Sequence, residues 1–449
     1  MTEPFPAPAR AQWNSRTGFI LAAAGSAVGL GNVWRFPYLA GQDGGGAFLI
    51  LYLAIAFSLG VSVLLAELAI GRLAARNPIG ALRVLEGGRW TIAGYLGAAA
   101  AFLVLSYYSV VGGWTLAYIV KAITGTLGGE SAASAAQSFR ALTASATEPL
   151  LYHALFMALT VWIVLRGIGG GIEAANKWMM PTLFLLLLAL VLRAVTLPGA
   201  AAGLAFYLTP NFSKVTAGTV VDALSQAFFS LSVGLGAMIT YGSYLGSRGG
   251  SLPRAAAWIA GIDTTVAVLA GLLIFAAVFA FGQNPAAGPS LTFITLPTVF
   301  HQMPGGAVFA AAFFLLLAFA ALTSAVSLLE VPVSYLVDEH AMPRRRAALL
   351  LGLAIFLVGI PSSLSLGPWH SDTILGLDVM DLLDAVTVKI MMPLGSILLC
   401  LFVGWPLESR VSAALAGAAR PMWLRAWLLM CRVVAPAAIA WVMVAGFAR

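Results

Sequence analysis

Charged residues are scarce in this chain of 449 residues. Lysine and arginine number 24 and aspartate and glutamate 17, together 9% of the sequence, whereas soluble domains carry about 25%. Apolar residues make up 61%, and the mean hydropathy is +0.95. A soluble fold of this size needs polar residues to cover its surface. The composition therefore excludes a soluble enzyme and a nucleic-acid-binding protein, and it predicts a polytopic protein of the lipid bilayer.

Cysteine, histidine and nucleotide-binding motifs are also sparse. The two cysteines, Cys400 and Cys431, fall within predicted helices, so we expect no disulfide. The four histidines lack the spacing of metal ligands. The sequence contains no Walker-type phosphate loop, which argues against transport driven by ATP within this chain. We therefore expect neither a catalytic site nor an ATP-driven pump.

Apolar windows long enough to cross a bilayer recur along the whole chain. A spanning helix needs about 20 mostly apolar residues, and the period-2 alternation of barrel strands is absent. Every backbone group must be hydrogen-bonded in lipid, so these windows predict α-helices. The predicted spans are 17–41, 46–71, 95–125, 152–168, 178–197, 218–246, 255–282, 305–338, 346–362, 375–407 and 424–447.

Basic residues divide unequally between the two sets of loops. Cytoplasmic loops are the ones rich in lysine and arginine, so the net charge of +7 is a topology signal. It predicts a multi-pass protein of the inner (plasma) membrane with a cytoplasmic N-terminus, and eleven spans then place Arg449 outside. The basic residues on the N-terminal side are Arg10, Arg16, Arg72, Arg76, Arg83, Arg89, Arg166, Lys177, Arg248, Arg254, Arg344, Arg345, Arg346, Arg410, Arg420 and Arg425, and those in the opposite loops are Lys121, Arg140, Arg193 and Lys214.

Two predicted spans carry a matching glycine-rich interruption. Residues 25–32 read GSAVGLGN and residues 230–236 read SLSVGLG. Glycine also serves close helix packing in membranes, but interruptions at corresponding places in two halves are typical of inverted-repeat transporters. Freed backbone N–H groups can bind an anion there, and freed carbonyls a cation. The pattern predicts an all-α transporter fold of 5+5 inverted repeats with broken helices 1 and 6. In it, 1–449 forms one domain with repeats at 17–197 and 218–407 and an extra helix at 424–447.

These motifs resemble those of the neurotransmitter:sodium symporters. The resemblance extends over nearly the whole chain and is closest to the bacterial amino-acid branch, with its eleven-helix transporters of hydrophobic amino acids. It implies a sodium-coupled symporter that imports hydrophobic L-amino acids, branched-chain or aromatic, by alternating access. The motifs that carry it are Trp13–Pro37, Asp43–Phe48, Glu67 with Gly71 and Arg72, Ser106–Tyr108, Gln226–Gly236 and Ala320–Ser324.

The resemblance implies a substrate site at the two interruptions. Gly29 stands where carriers of monoamines have an aspartate, and it leaves room for a substrate carboxylate. That carboxylate is expected to meet the backbone N–H groups of Leu30 and Gly31 and the hydroxyl of Tyr108. An apolar cup is expected around the side chain of the amino acid. The implied substrate residues are Ala27, Gly29, Leu30, Gly31, Val104, Tyr108, Phe229, Ser230, Ser232, Leu235, Ser324 and Leu328.

Two sodium sites and no chloride site are expected by the same resemblance. Chloride-dependent relatives hold the anion near positions that match Tyr52, Gln226, Ser230, Asp263 and a serine, and the serine position is Ala267 here. We expect the Asp263 carboxylate to supply the negative charge in place of chloride. The first sodium site is assigned to Ala27, Asn32, Ser230 and Asp263, and the second to Gly25, Val28, Ala320, Thr323 and Ser324.

Gates are implied on both sides of the substrate. Glu67 is expected to brace the broken span 6, and Glu330 to lie on the cytoplasmic pathway. Gly169–Gly171, before Pro181, is expected to let the start of span 5 unwind. The outer gate is assigned to an ion pair of Arg35 with Asp381, covered by Phe229 and Tyr108, and the inner gate to an ion pair of Arg10 with Asp338, near Trp13 and Tyr244.

Two alternatives remain open at this point. The first is an amino-acid sensor of the same fold that binds without transport. The second is a proton-coupled carrier in which Asp263 or Glu67 takes the proton. The exact substrate and the oligomeric state are not specified by the sequence.

Overall fold

The computed structural model describes residues 10–246, 250–288, 291–417 and 421–447. Within these ranges the chain is helical, and the only strand-like pairings are two isolated bridges. Nine helices are long and apolar enough to cross a membrane. The spanning helices and half-helices are α1a (Arg16–Ala27), α1b (Gly31–Gln42), α2 (Gly46–Ala74), α3 (Gly88–Thr124), α4 (Glu148–Leu165), α5 (Ile168–Val195), α6a (Ala217–Ser230), α6b (Ala237–Ser243), α7 (Leu252–Ala280), α8 (Gly306–His340), α9 (Arg344–Leu364), α10 (Val379–Gly404) and α11 (Met422–Gly446).

The predicted broken spans are the two that are not continuous. Helices α1a and α1b meet at a bend of 49°, and α6a and α6b are separated by residues 231–236. Counting the α1 pair as one span gives ten among the described residues, and the shorter half-helices α6a and α6b correspond to the remaining segment expected from the sequence. The all-α polytopic fold is therefore confirmed, while the division into repeats at 17–197 and 218–407 stays a prediction.

Local signals explain where the half-helices begin. Ser15 is the N-cap of α1a, and its side chain accepts a hydrogen bond from the N–H of Gly18 at 3.0 Å. Thr216 and Thr219 form a reciprocal capping box at the start of α6a. Such caps satisfy backbone donors that have no partner inside the helix. Both half-helices thus begin at fixed positions and end at the glycine-rich breaks.

Helix α5 begins ten residues before the predicted position. The glycines Gly169–Gly171 lie in a π-helical turn over Ile168–Glu173 that leads directly into the α-helix. Glycine tolerates this wider turn without a steric penalty. The segment expected to unwind is therefore helical in this conformation.

Three of the predictions fall outside the described residues. These are the basic loop residues Arg248 and Arg420 and the C-terminal Arg449. The side of the membrane that each loop faces stays a prediction. Cys400 and Cys431 are both free and buried in this structure.

Candidate substrate and sodium site

The two helix breaks face each other at the centre of the bundle. Val28 is extended, with φ −69° and ψ 108°, while Ser232, Gly234 and Gly236 have positive φ values of 53°, 82° and 72°. Positive φ costs little for glycine but is unfavourable for serine. The Ser232 hydroxyl donates to the carbonyl of Ser26 at 2.9 Å, which holds the two breaks together.

A small cavity lies between the breaks. Its volume is about 20 Å³, close to the space that one water molecule needs, so an amino acid can enter only if the walls move apart. Ten of the twelve predicted substrate residues line it. They are Ala27, Gly29, Gly31, Val104, Tyr108, Phe229, Ser232, Leu235, Ser324 and Leu328.

The two remaining predicted residues lie beside this cavity. The N–H of Leu30 donates to the hydroxyl oxygen of Tyr108 at 3.1 Å. Ser230 points away from the cavity and toward Asp263. Gly29 closes the cavity on the α8 side, where a Cβ atom would lie 2.5 Å from Ser324 Oγ and 2.8 Å from the Tyr108 hydroxyl.

Asp263 forms the centre of a buried polar cluster. Its carboxylate accepts hydrogen bonds from Asn32 Nδ2 at 2.7 Å, from Ser230 Oγ at 2.9 Å and from the Tyr52 hydroxyl at 3.3 Å. Asn32, Tyr52 and Asp263 are completely buried. In the described part of the chain no basic side chain pairs with Asp263. A buried carboxylate that is hydrogen-bonded only by neutral donors is suited to binding a cation nearby. Three of the four residues predicted for the first sodium site, Asn32, Ser230 and Asp263, contact one another here.

A second cluster of oxygens joins α8 to the end of α1a. Ser324 Oγ lies 3.2 Å from the Val28 carbonyl and 3.4 Å from the Gly25 carbonyl. Thr323 Oγ1 lies 3.3 Å from the Val28 carbonyl and 3.0 Å from that of Ala320. All five residues predicted for the second sodium site are therefore close together, and hydroxyl and carbonyl oxygens are ligands that hard cations prefer.

The side of the site that contains the predicted inner gate is closed. Arg10 forms an ion pair with Asp338 and donates to Ser243 Oγ at 2.6 Å, and its guanidinium lies 4.6 Å from the ring centre of Tyr244. Trp13 Nε1 donates to the Tyr241 carbonyl at 3.0 Å. The residues predicted for the inner gate are thus brought together in their closed arrangement.

A further buried network lies next to the inner gate. Glu330 accepts a hydrogen bond from the Tyr244 hydroxyl at 2.7 Å and forms an ion pair with Arg344.

Glu67 of α2 contacts the break between α6a and α6b. Its carboxylate accepts a hydrogen bond from the backbone N–H of Gly234 at 2.6 Å. Glu67 thus braces broken span 6 from α2, as the sequence led us to expect.

The residues predicted for the outer gate lie on the opposite side of the site from the predicted inner gate. Arg35 lies 4.9 Å from the ring centre of Phe229, but no ion pair joins it to Asp381 within the described residues. Asp384 lies one helical turn beyond Asp381 on α10, and both carboxylates line the same cavity as Arg35. Asp384 also accepts a hydrogen bond from the Tyr107 hydroxyl at 3.1 Å. The outer ion pair of Arg35 with Asp381 therefore stays a prediction.

A cavity of about 330 Å³ lies above the small one and contains these outer groups. Tyr108 and Phe229 border both cavities, so they form the floor of the outer cavity and the roof of the inner one. A large cavity on one side of the site and a closed gate on the other side fit one state of an alternating-access transporter.

Two broken helices that share polar sites at mid-membrane define a secondary transporter. The chain belongs to the sodium:neurotransmitter symporter family, whose model matches residues 10–148 and 142–449. The protein is accordingly a sodium-dependent symporter of the membrane and not an enzyme.

Curated relatives and a solved structure agree with this membership. The chain is 42% identical over 435 residues to an uncharacterized sodium-dependent transporter, YhdH, of Bacillus subtilis, covering 95% of this chain and 96% of that protein. It is 38% identical over 439 residues to an uncharacterized sodium-dependent transporter of Haemophilus influenzae, again covering 95% and 96%. The crystal structure of MhsT in complex with L-phenylalanine matches with a TM-score of 0.91 and 46% identity, over 98% of this chain and 100% of that one.

Proposed function

We propose that this protein imports hydrophobic L-amino acids with two sodium ions and without chloride. The observation that carries the proposal is the small cavity, because apolar side chains such as Val104, Leu235 and Leu328 line it beside Tyr108 and Gly29. Burial of an apolar substrate side chain there contributes about 1.5–3 kcal/mol. The complex of the similar MhsT with L-phenylalanine supports the same substrate class.

The substrate carboxylate is the proposed link between substrate and sodium. We assign it to the space beside Gly29, within reach of the Leu30 N–H and the Tyr108 hydroxyl, which now bond to each other. The carboxylate then also completes the first sodium site with Asn32 and Asp263. Because each ligand completes the site of the other, sodium and substrate raise each other's affinity by the same factor.

Two sodium ions and a zwitterion carry a net charge of +2 into the cell. The membrane potential supplies about 2.3 kcal/mol per charge per 100 mV. For two charges at 100 mV the potential supplies twice that free energy, which is enough to concentrate the substrate on the order of 10³-fold before the sodium gradient is counted. In this proposal, 17–197 and 218–407 are the moving repeats, the N-terminus is cytoplasmic and the C-terminus lies outside.

Uptake of labelled leucine and tryptophan into proteoliposomes tests the proposal. We expect uptake that requires external sodium rather than potassium, proceeds without a proton gradient and increases with an inside-negative potential. Unlabelled phenylalanine should compete, and glutamate and lysine should not. Sodium-stimulated binding without uptake would indicate a sensor, and uptake driven only by protons would indicate a proton-coupled carrier.

We expect uptake to persist when gluconate replaces chloride. The Asp263 carboxylate already occupies the point where the Tyr52, Ser230 and Asn32 donors converge, so no free anion is needed there to balance sodium. Initial rates of leucine uptake in sodium gluconate and sodium chloride provide the measurement. A strict chloride requirement would contradict the proposed role of Asp263.

A further inference from the structure

Asn77 lies between α2 and a short helix, Pro78–Glu86, at the end of the bundle that contains the predicted inner gate. Its side chain is completely buried. Oδ1 accepts hydrogen bonds from the backbone N–H groups of Ile79 and Gly80, each at 3.0 Å, so it caps the short helix. Backbone N–H groups only donate, so these contacts fix the orientation of the amide and direct Nδ2 away from the short helix.

The donors of Asn77 meet the acidic end of α8. Nδ2 lies 2.9 Å from Glu339 Oε1 and 3.3 Å from Asp338 Oδ2, and the backbone N–H of Asn77 lies 2.8 Å from the same Asp338 oxygen. Glu339 also forms an ion pair with Arg83 of the short helix at 2.7 Å. Among the described residues, Asp338 has one basic partner, the gate residue Arg10.

The inner gate can open only if Arg10 leaves Asp338. The Asp338 side chain is 15% exposed, and a carboxylate in such a place costs free energy when it loses its basic partner, unless other donors hold it. The two donors of Asn77 approach the same oxygen to which Arg10 donates, and neither belongs to the N-terminal segment that carries Arg10. Asn77 is therefore placed to keep Asp338 hydrogen-bonded when the gate is open.

The residue after Asn77 contacts the break between α6a and α6b. A Cβ at Gly236 would lie 2.8 Å from Pro78 Cγ, and Gly236 is the N-cap of α6b. The neighbouring Leu235 lines the substrate cavity. Asn77 and Pro78 thus connect the acid of the inner gate to the edge of the substrate cavity.

We propose that Asn77 is a positioning residue of the inner gate, which holds the Asp338 carboxylate while Arg10 is released. The inference rests on the proposed function. Opening of the gate then removes one partner of Asp338 and leaves the others in place, so the ion pair can break and form again in each cycle. Through Pro78, a movement of α6b reaches the same carboxylate.

Asn77→Ser tests this role, because serine also caps a helix but lacks the two N–H donors of Nδ2. Net leucine uptake and leucine exchange both require the inner gate to open, whereas equilibrium leucine binding to the purified protein does not. We expect uptake and exchange both to fall about tenfold, which corresponds to about 1.4 kcal/mol. Sodium-dependent leucine binding should stay within about twofold of the wild type.

The Arg10→Ala background separates this role from a structural one. Without Arg10 no ion pair has to break, so in that background Asn77→Ser should change leucine exchange by less than about twofold. An equal loss in both backgrounds would show that Asn77 acts on packing alone and would overturn the proposal. If Arg10→Ala itself does not exchange leucine, Asp338→Asn provides the same comparison, because it removes the charge that Asn77 holds.

Asn211→Ser is the matched control, because Asn211 is an exposed residue that caps a single turn before α6a, where it accepts the N–H of Ser213 at 3.1 Å. It should leave uptake and exchange unchanged. If Asn77→Ser does not bind leucine, Asn77→Thr, which also caps a helix, replaces it. Wild-type uptake and exchange in Asn77→Ser would overturn the proposal. A wild type without sodium-driven uptake would instead contradict the proposed function.

Discussion

Asp263→Asn is expected to lower sodium-driven leucine uptake by about a hundredfold in chloride-free medium. The substitution removes the negative charge and places a donor against the Asn32, Ser230 and Tyr52 donors that now converge on the carboxylate. Hydrogen bonds to a charged group contribute about 1.5–3 kcal/mol each, and about 2.7 kcal/mol corresponds to a hundredfold change. The sodium dependence of initial leucine uptake rates measures the effect, which should appear mainly as weaker apparent sodium affinity.

The chloride dependence of uptake tests whether Asp263→Asn acts by removing the negative charge or by disturbing the fold. Ala267 is buried in the same cluster as Tyr52, so the double variant Asp263→Asn with Ala267→Ser adds the hydroxyl that chloride-dependent relatives use. We expect chloride to restore a large part of uptake in the double variant and to have no effect on the wild type. Wild-type activity of Asp263→Asn without chloride would show that the carboxylate is not the required charge.

The sequence predicts the central features of the site because they depend on unusual local chemistry. Paired Gly-Leu-Gly interruptions are rare enough in apolar helices to mark both breaks, and an acid inside a membrane span, such as Glu67 or Asp263, usually has a function. The resemblance then assigns individual side chains, and ten of the twelve substrate residues line one cavity. What the cavity binds stays a prediction.

Features that depend on helix rotation are harder to predict. Asp381 and Asp384 are one turn apart on α10 and line the same cavity as Arg35, and sequence spacing cannot say which of them pairs with it. The segment Gly169–Gly171, expected to be able to unwind, forms a π-helical turn in this conformation, and glycine allows both arrangements. The buried Asn176 of α5 carries no signal in the sequence, because its side-chain oxygen, which has no hydrogen-bond partner among the described residues, is placed by the packing of α5 against α1a.

Gly29 connects the three proposed ligand sites within one turn of backbone. Its N–H donates to Asn32 Oδ1 at 2.9 Å, in the first sodium cluster. The preceding carbonyl, of Val28, contacts Thr323 and Ser324 in the second cluster. The residue itself lines the substrate cavity. A shift of the backbone at Gly29 is therefore expected to change both proposed cation sites and the substrate cavity.

Gly29→Ala is accordingly expected to weaken leucine binding by about a hundredfold. The added methyl group would lie 2.5 Å from Ser324 Oγ and 2.8 Å from the Tyr108 hydroxyl, so both groups must move. Overpacking costs about 1–3 kcal/mol, and its upper end corresponds to about a hundredfold change. Because the new side chain fills space that the substrate carboxylate needs, the loss should persist at saturating sodium. Equilibrium binding of labelled leucine across a sodium series provides the measurement.

Gly261→Ala on α7 is the matched control for this substitution, because a Cβ there has no neighbouring atom within 4 Å. It should bind leucine as the wild type does, since alanine is favoured over glycine in an exposed helix interior. Similar thermal unfolding of both variants would show that Gly29→Ala acts on the site rather than on folding. Wild-type leucine affinity in Gly29→Ala would mean that the substrate carboxylate binds elsewhere. The substrate assignments to Leu30 and Tyr108, which depend on the same space, would then fail with it.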